Sequence, residues 1–152
     1  MSRAFVNEDV ATDDVVDRPI SPHPNYVTAA GLAQIERSLE AAREGHAAAQ
    51  ISGDRAELAK SSSELRYWSA RRGSARVLAP DAGRTTVQFG STVTIVRDGR
   101  KQTFQIVGED EAEPAKGKIS YVSPLARSLM NKEVGDTVRL GESEIEILAL
   151  PE

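Results

Sequence analysis

Two carboxylates stand three residues apart in the stretch ISGDRAEL, which occupies residues 51–58. Asp54 and Glu57 directly follow Gly53, and long alanine-rich stretches typical of helices lie on both sides. At a helix start this spacing places both acids on one side, where two oxygen ligands could help to hold a divalent metal ion and activate water. The same pattern is a capping box, in which Asp54 caps the helix and Glu57 reaches back to it. The two interpretations are compatible, since an acid can cap the free protein and bind a metal ion in a complex.

Two heptad seams flank Gly53 and predict the element that carries the acids. Thr28 is a suitable N-cap for the first helix, and the second helix begins after the glycine. Helices of similar length joined by one tight turn predict an antiparallel hairpin, or short coiled coil, with a thin tip of small side chains. The seam positions are Leu32, Ile35, Leu39, Ala42, His46 and Ala49 in the first helix, and Leu58, Ser61, Leu65, Trp68, Arg72 and Ala75 in the second.

The remaining chain predicts an arm and a sheet domain around this hairpin. Residues 1–25 are acidic and then proline-rich, which predicts a flexible or loosely docked arm before a hairpin domain over residues 26–79. Residues 80–152 carry short β-type runs and one short helix, with Ser123 as its cap and Pro124 at its first position. The fold class is therefore α+β with a mostly antiparallel sheet. The β-type runs are TTVQF, STVTIV, KQTFQIV, KISYV, DTVRL and EIEILAL.

The composition excludes several classes of protein. The 152 residues include no cysteine, which rules out a disulfide framework and a cysteine-based zinc site. No apolar run is long enough to cross a membrane, and the first residues lack the apolar region of a signal peptide, so we expect a cytoplasmic protein. The net charge of −4 argues against general coating of nucleic acid. We expect a monomer.

The chain resembles the bacterial Gre transcript cleavage factors over roughly residues 25–150. The similarity is strongest in VQFGSTVTI, in IVGEDEAEPAKGKISYVSPLARSLMNKEVGDTV and in EIEILAL, which keep the order and spacing of the family. NYVTAAGLAQI resembles the family's opening stretch. GDRAEL resembles its tip motif G-D-x-x-E-N, with leucine in place of the final asparagine.

The resemblance implies a function in transcription. In this family a helical hairpin enters the secondary channel of RNA polymerase, and its acidic tip helps the polymerase to hold a second Mg²⁺ and a water that cuts a backtracked transcript. Asp54 and Glu57 would then be the tip acids and would bind the metal ion only in the polymerase complex. An FKBP-like C-terminal domain would grip the channel rim. The chain would have no enzyme activity and no cofactor of its own beyond the shared Mg²⁺.

Both arms of the hairpin are shorter than is typical of the family by about nine residues, or about 14 Å of helix. This shortening leaves an alternative open. The protein would then bind the channel or its rim without efficient cleavage, as a non-cleaving Gre-like regulator or as a relative of the Rnk proteins, which share the C-terminal domain and have a reduced hairpin. A prolyl isomerase is not favoured, because only Phe89, Phe104 and Tyr121 are aromatic in the C-terminal domain.

Two further sets of residues are candidate contacts. The first would bind nucleic acid, DNA or the transcript 3′ end, or would simply form a solvated helix face that offsets nearby glutamates. It consists of Arg66, Arg71, Arg72 and Arg76. The second would face the polymerase, as the resemblance implies for this region, while Leu125 and Leu129 pack inward. It consists of Asp110, Glu111, Ser123, Pro124 and Arg127.

Overall fold

The computed structural model describes residues 16–151, which divide by their contacts into two compact units. A helical unit contains residues 16–24 and 33–74, and a sheet unit contains residues 25–32 and 75–151. The contacts thus place residues 25–32 and 75–79 with the sheet, although the sequence suggested a hairpin domain over residues 26–79. Of the expected N-terminal arm, residues 1–15 lie outside the described range, and residues 16–25 form no helix or strand.

Two helices account for the alanine-rich stretches. Helix α1 spans Ala29–Ser52 and helix α2 spans Arg55–Ser74. Thr28 caps α1 as predicted, because its Oγ1 accepts a hydrogen bond from the Gly31 N–H at 3.0 Å. Gly53 ends α1 with a φ of +73°, a left-handed conformation that glycine adopts without steric cost.

Contacts across the helical unit show that α1 and α2 run antiparallel. Glu36, early in α1, meets Arg72 near the end of α2, and His46, late in α1, meets Ser61 in the first half of α2. None of the six predicted seam positions of α1 is exposed, which is consistent with a buried stripe along this helix. The interior is nevertheless thin toward the tip, where Ala49 is the last buried side chain of α1.

One position of the predicted α2 seam is exposed. Arg71 is only 2% exposed, whereas Arg72, which the heptad spacing placed on the seam, lies at the surface. Neighbouring residues of an α-helix are about 100° apart around its axis, whereas a strict heptad drifts by only about 20° in seven residues. Drift of the seam therefore does not account for the burial of Arg71. At the surface, the guanidinium of Arg72 contacts the Glu36 carboxylate, with Nε 3.0 Å from Oε2.

The sheet unit contains a parallel pair of two-residue strands and a five-stranded, mostly antiparallel sheet. The order in the large sheet is β5-β4-β3-β7-β6, and only the β4–β5 pair is parallel. The α+β class is confirmed. The small pair is β1 (Tyr26–Val27) with β2 (Arg76–Val77), and the sheet consists of β3 (Thr92–Arg97), β4 (Arg100–Val107), β5 (Lys118–Ser120), β6 (Thr137–Leu140) and β7 (Ser143–Ala149).

The run TTVQF, predicted as a strand, forms no strand. Only Thr86 makes an isolated bridge, to Glu133. Val87 instead exchanges backbone hydrogen bonds with the loop after the short helix: its N–H donates to the Lys132 carbonyl at 2.8 Å, and its carbonyl accepts from the Asn131 N–H at 2.9 Å. The fully buried Val87 side chain therefore enters the core from a loop.

The core of the sheet unit follows the two-residue period of its strands. Val93 and Ile95 in β3, and Ile145 and Ile147 in β7, are all fully buried. The short helix α3 (Pro124–Leu129) adds the fully buried Leu129 and contributes Leu125 at the edge of the core, as predicted. Burying each such side chain contributes about 1.5–3 kcal/mol. Within residues 16–151, neither long helix has a stretch apolar enough to span a lipid bilayer.

Candidate functional site

The hairpin tip carries the two acids that the sequence singled out. Asp54 Oδ1 accepts hydrogen bonds from the backbone N–H groups of Ala56 at 3.0 Å and Glu57 at 3.2 Å, so Asp54 is the N-cap of α2. The second half of the predicted capping box is wrong. The Asp54 N–H donates to Ser52 Oγ at 3.3 Å rather than to Glu57. The Glu57 carboxylate is therefore not engaged in the cap.

Both tip carboxylates are exposed to solvent, and only one of their four oxygens carries the capping bonds. The tip fits a divalent cation only in part. Mg²⁺ requires six oxygen ligands in octahedral geometry, and two side chains cannot supply them. No group of three or more potential metal-binding side chains occurs within residues 16–151. The tip can thus contribute ligands to a metal ion that another molecule already holds.

A cleft of about 440 Å³ lies between α1 and α2 in the same unit. Small residues of α1, including Ala41, Ala42 and Gly45, line one side, and Trp68 and Glu57 lie on the other. His46, which was predicted to be a small polar seam residue, is half-buried, with Nδ1 3.2 Å from Ser61 Oγ. Polar pairs and small side chains bury little apolar area, so the distal half of the hairpin is weakly packed.

The four candidate arginines do not form one basic patch. Arg66 forms a two-pronged hydrogen bond with Asp17, from Nε at 2.9 Å and Nη2 at 2.8 Å. Arg71 is buried, and Arg72 pairs with Glu36. These contacts favour the interpretation that the positive charges offset neighbouring acids.

Arg76 was predicted on the second helix, but it lies in β2 of the sheet unit. Its N–H donates to the Asn25 carbonyl at 2.9 Å, and its guanidinium carbon lies 5.9 Å from the centre of the Tyr26 ring. The helix ends at Ser74, because the chain there turns to pair with β1.

The Asp17–Arg66 contact leads to a prediction about pH. The hydrogen bond from Arg66, aided by one from Ser63, lowers the pKa of the Asp17 carboxyl below its ordinary 3.8. Because the pKa of Asp17 is lowered in the folded state, its contact with Arg66 contributes its full stability above pH 3.8. That contribution is lost as the pH falls through the lowered pKa. We expect the pKa of Asp17, followed by carboxyl NMR signals, to rise toward 3.8 in an Arg66→Gln variant. An identical pKa in both proteins would show that the contact does not persist in solution.

The second candidate set is divided by the structure. Ser123 caps α3, its Oγ accepting from the Ala126 N–H at 3.3 Å, as the sequence predicted. Pro124 and Arg127 are exposed on the outer side of this helix, and Asp110 is half-buried. Pro124 and Arg127 are thus the members of the set most open to a partner.

Glu111, expected at a polymerase-facing surface, is only 7% exposed. Its Oε2 accepts from the backbone N–H groups of Thr28 at 2.9 Å and Gly108 at 3.0 Å, and its Oε1 accepts from the Thr28 hydroxyl. A Cβ at Gly31 would stand 2.1 Å from Glu111 Cδ, so only glycine fits there. Glu111 is therefore an internal link between the start of α1 and the loop after β4, and its carboxylate does not face outward.

The role of Asp17 and Arg18 was not predicted from the sequence. Asp17 binds Arg66, and Arg18 lies against α2, with its guanidinium carbon 3.7 Å from the centre of the Tyr67 ring. The only sequence signal was an acid followed by Arg-Pro near the end of the arm, which is too short to identify a contact across 49 residues.

Comparison with known proteins places the similarity mainly in the sheet unit. Residues 82–149 match the family model described as "Transcription elongation factor, GreA/GreB, C-term". The chain is 54% identical over 57 residues to "Transcription elongation factor GreA" of Maricaulis maris, covering 36% of each chain. It is 45% identical over 93 residues to "Transcription elongation factor GreB" of Neisseria meningitidis, covering 57% of each. The matches thus span about a third to three fifths of these relatives.

A solved structure is also similar. The crystal structure of GreA factor homolog 1 (Gfh1) of Thermus thermophilus is 22% identical and aligns with 86% of this chain and 100% of its own, with a TM-score of 0.41.

Proposed function

Because the chain belongs to the Gre family, with its GreA/GreB C-terminal domain at residues 82–149, we propose that it binds RNA polymerase and stimulates cleavage of backtracked transcripts. The observation that carries this proposal is the pair of exposed carboxylates, Asp54 and Glu57, at the end of an antiparallel helix pair. The hairpin would enter the secondary channel near the transcript 3′ end. The coiled-coil packing of the hairpin, the FKBP-like fold of the C-terminal domain, a monomeric state and a cytoplasmic location belong to the same proposal.

The tip would act on the catalytic centre of the polymerase. When bound there, Mg²⁺ lowers the pKa of a water ligand and orients the scissile phosphate. Asp54 Oδ2 and the Glu57 carboxylate would supply oxygen ligands, and the polymerase would supply the others. The cap fixes the direction of Asp54, since both bonds from α2 fall on one of its oxygens. The chain itself would have no activity without the polymerase.

A second candidate rests on the length of the helices. Helix α1 has 24 residues and α2 has 20, which correspond to about 36 Å and 30 Å of helix. An Mg–O bond is about 2.0–2.1 Å long, so a tip carboxylate that stops short of the metal ion cannot bind it. A helix cannot lengthen to close such a gap. If this protein docks on the polymerase in the same way as its longer relatives, the tip acids do not reach the catalytic metal ion. The protein would then act as a non-cleaving regulator at the channel or its rim, as an Rnk-like protein would.

The experiment uses a backtracked RNA polymerase complex. We expect the protein to accelerate Mg²⁺-dependent shortening of the transcript from its 3′ end, with the polymerase alone as the baseline. Binding without acceleration, together with an altered rate of initiation or elongation, would support the regulator instead. Absence of binding to the polymerase would refute both candidates.

The sheet unit should provide the anchor to the polymerase. We predict that the double change Pro124→Ala and Arg127→Ala weakens polymerase binding about tenfold, because both side chains are exposed on α3 and neither belongs to the core. The matched control is Arg139→Ala, which removes an exposed charge on β6. Affinity can be measured by fluorescence anisotropy, and thermal unfolding checks that α3 is intact. Equal affinities of the double variant and the control would place the anchor elsewhere.

A further inference from the structure

Residues 17 and 18 make a compact set of contacts with one face of α2. The Asp17 carboxylate meets the Arg66 guanidinium through two hydrogen bonds. The Arg18 guanidinium lies over Tyr67, 3.7 Å from its ring centre, and 5.4 Å from that of Trp68. We refer to Glu64, Arg66, Tyr67 and Trp68 as the α2 face.

The charges of the α2 face are ordered to match an acid followed by an arginine. Arg18 Nη1 is 3.6 Å from the Glu64 carboxylate, while the preceding Asp17 meets Arg66. The planar fork of arginine fits a carboxylate through two parallel bonds, and a guanidinium stacks on aromatic rings. A ligand with the charges reversed would meet a like charge at both positions. The face therefore distinguishes the order of the two residues.

The backbone of the bound segment is also constrained. Pro19 disfavours the helical conformation for Arg18, so the segment reaches the α2 face already extended. Prolines at 22 and 24 continue this restriction toward β1. An extended segment loses less conformational freedom on binding than a flexible one, which favours recognition through only two side chains.

The side chains that make these contacts remain partly exposed to solvent. The side chains of Arg18 and Glu64 are 47% and 42% exposed, and those of Arg66 and Asp17 are 60% and 50% exposed. Ion pairs at such exposure are weak and are screened by salt. The segment thus stays bound mainly because it is tethered, which gives it a high local concentration, and it can be displaced by a competing ligand.

We propose that the α2 face is a binding surface for an extended acid–Arg–Pro segment, occupied in cis by Asp17, Arg18 and Pro19 and open to exchange for a segment of the same chemistry in a partner protein. Glu64 repels phosphate, so a peptide carrying both charges fits the face better than single-stranded nucleic acid does. This role is separate from the tip acids and does not depend on transcript cleavage.

Trp68 makes the proposal testable, since it is the only tryptophan in the chain and lies in the α2 face. In the full chain, Asp17→Asn together with Arg18→Gln should release the segment from the α2 face. Because the contact that is lost is a weak surface contact, acrylamide should then quench Trp68 emission only about twofold more strongly than in wild type. A peptide of residues 16–24 should bind this variant and reverse the increase. Wild type should require far more peptide, because the tethered segment competes at an effective concentration of about 1 mM.

Two controls distinguish the alternatives. The same peptide with both substitutions should not bind, and the peptide should lose about threefold in affinity for a triple variant that also carries Arg66→Gln. Helix content by circular dichroism verifies the fold of each variant, and salt titration of wild type gives a readout that needs no substitution. Unchanged quenching in the variant and at high salt, failure of the peptide to bind, or tighter binding of a single-stranded oligonucleotide than of the peptide would each overturn the proposal.

Discussion

Changing Asp54 and Glu57 to alanine together is expected to lower the stimulated rate of transcript cleavage about 10–100-fold, toward the rate of the polymerase alone. Each substitution removes an oxygen ligand that the proposed function assigns to the shared Mg²⁺. Affinity for the polymerase should remain nearly unchanged, because the sheet unit is the proposed anchor. Cleavage of a backtracked complex at saturating protein measures the first quantity, and anisotropy measures the second.

A matched variant separates metal binding from helix capping. Asp54→Ala also removes an N-cap, which costs about 0.5–2 kcal/mol, whereas asparagine caps as well as aspartate does. Asp54→Asn with Glu57→Gln therefore keeps the cap and removes both charges. If this variant loses cleavage as fully as the alanine variant, the acids act as ligands. If it cleaves like wild type while the alanine variant fails, the two acids serve only the structure of α2.

The largest effect on stability should come from Glu111→Ala. The change removes a carboxylate that accepts from two backbone N–H groups and a hydroxyl, and it leaves those donors without their acceptor in a buried place. We expect a loss of about 2–4 kcal/mol in the free energy of unfolding, measured by urea titration with circular dichroism. Glu111→Gln, which keeps one acceptor oxygen, should lose less.

Glu113→Ala is the matched control, since it removes an exposed acid two residues away. Glu113 forms an ion pair with Lys116, at 3.3 Å and three residues on, and such a contact contributes about 0.5 kcal/mol or less. Equal stability of the two alanine variants would argue against the internal link. Lost polymerase binding with unchanged stability in Glu111→Ala would instead support the partner contact that the sequence suggested.

The contrast between Asp54 and Glu111 shows which part of the site the sequence could predict. The Asp54 cap depends on residues two and three positions away, and a glycine break marks it directly. Glu111 reaches Thr28, which is 83 residues away, and it stands in an acidic run typical of a surface loop. Pattern reasoning identifies local hydrogen bonds well, and it cannot identify a buried charge whose donors come from a distant segment.

The fold shows the same limit. Alternation of apolar residues identified β3, β4 and β7, and Ser123 with Pro124 identified the start of α3. The pair β1 and β2 was missed, because two residues carry no periodicity. In α2 the periodicity placed Arg72 on the seam, although Arg72 is exposed and the neighbouring Arg71 is buried.

The position of β7 in the sheet has a consequence for the order of synthesis. This strand is the last made of the five, yet it lies between β3 and β6 and supplies Ile145 and Ile147 to the core. Helices α1 and α2 contact each other over short distances in sequence and can pair while the chain is still growing. On the ribosome, the edge of β3 that faces away from β4 stays uncovered until β7 emerges. A nascent chain stalled just before residue 143 should therefore be a preferred substrate for chaperones, and release of the full chain from the ribosome, which frees β7, should end that vulnerability.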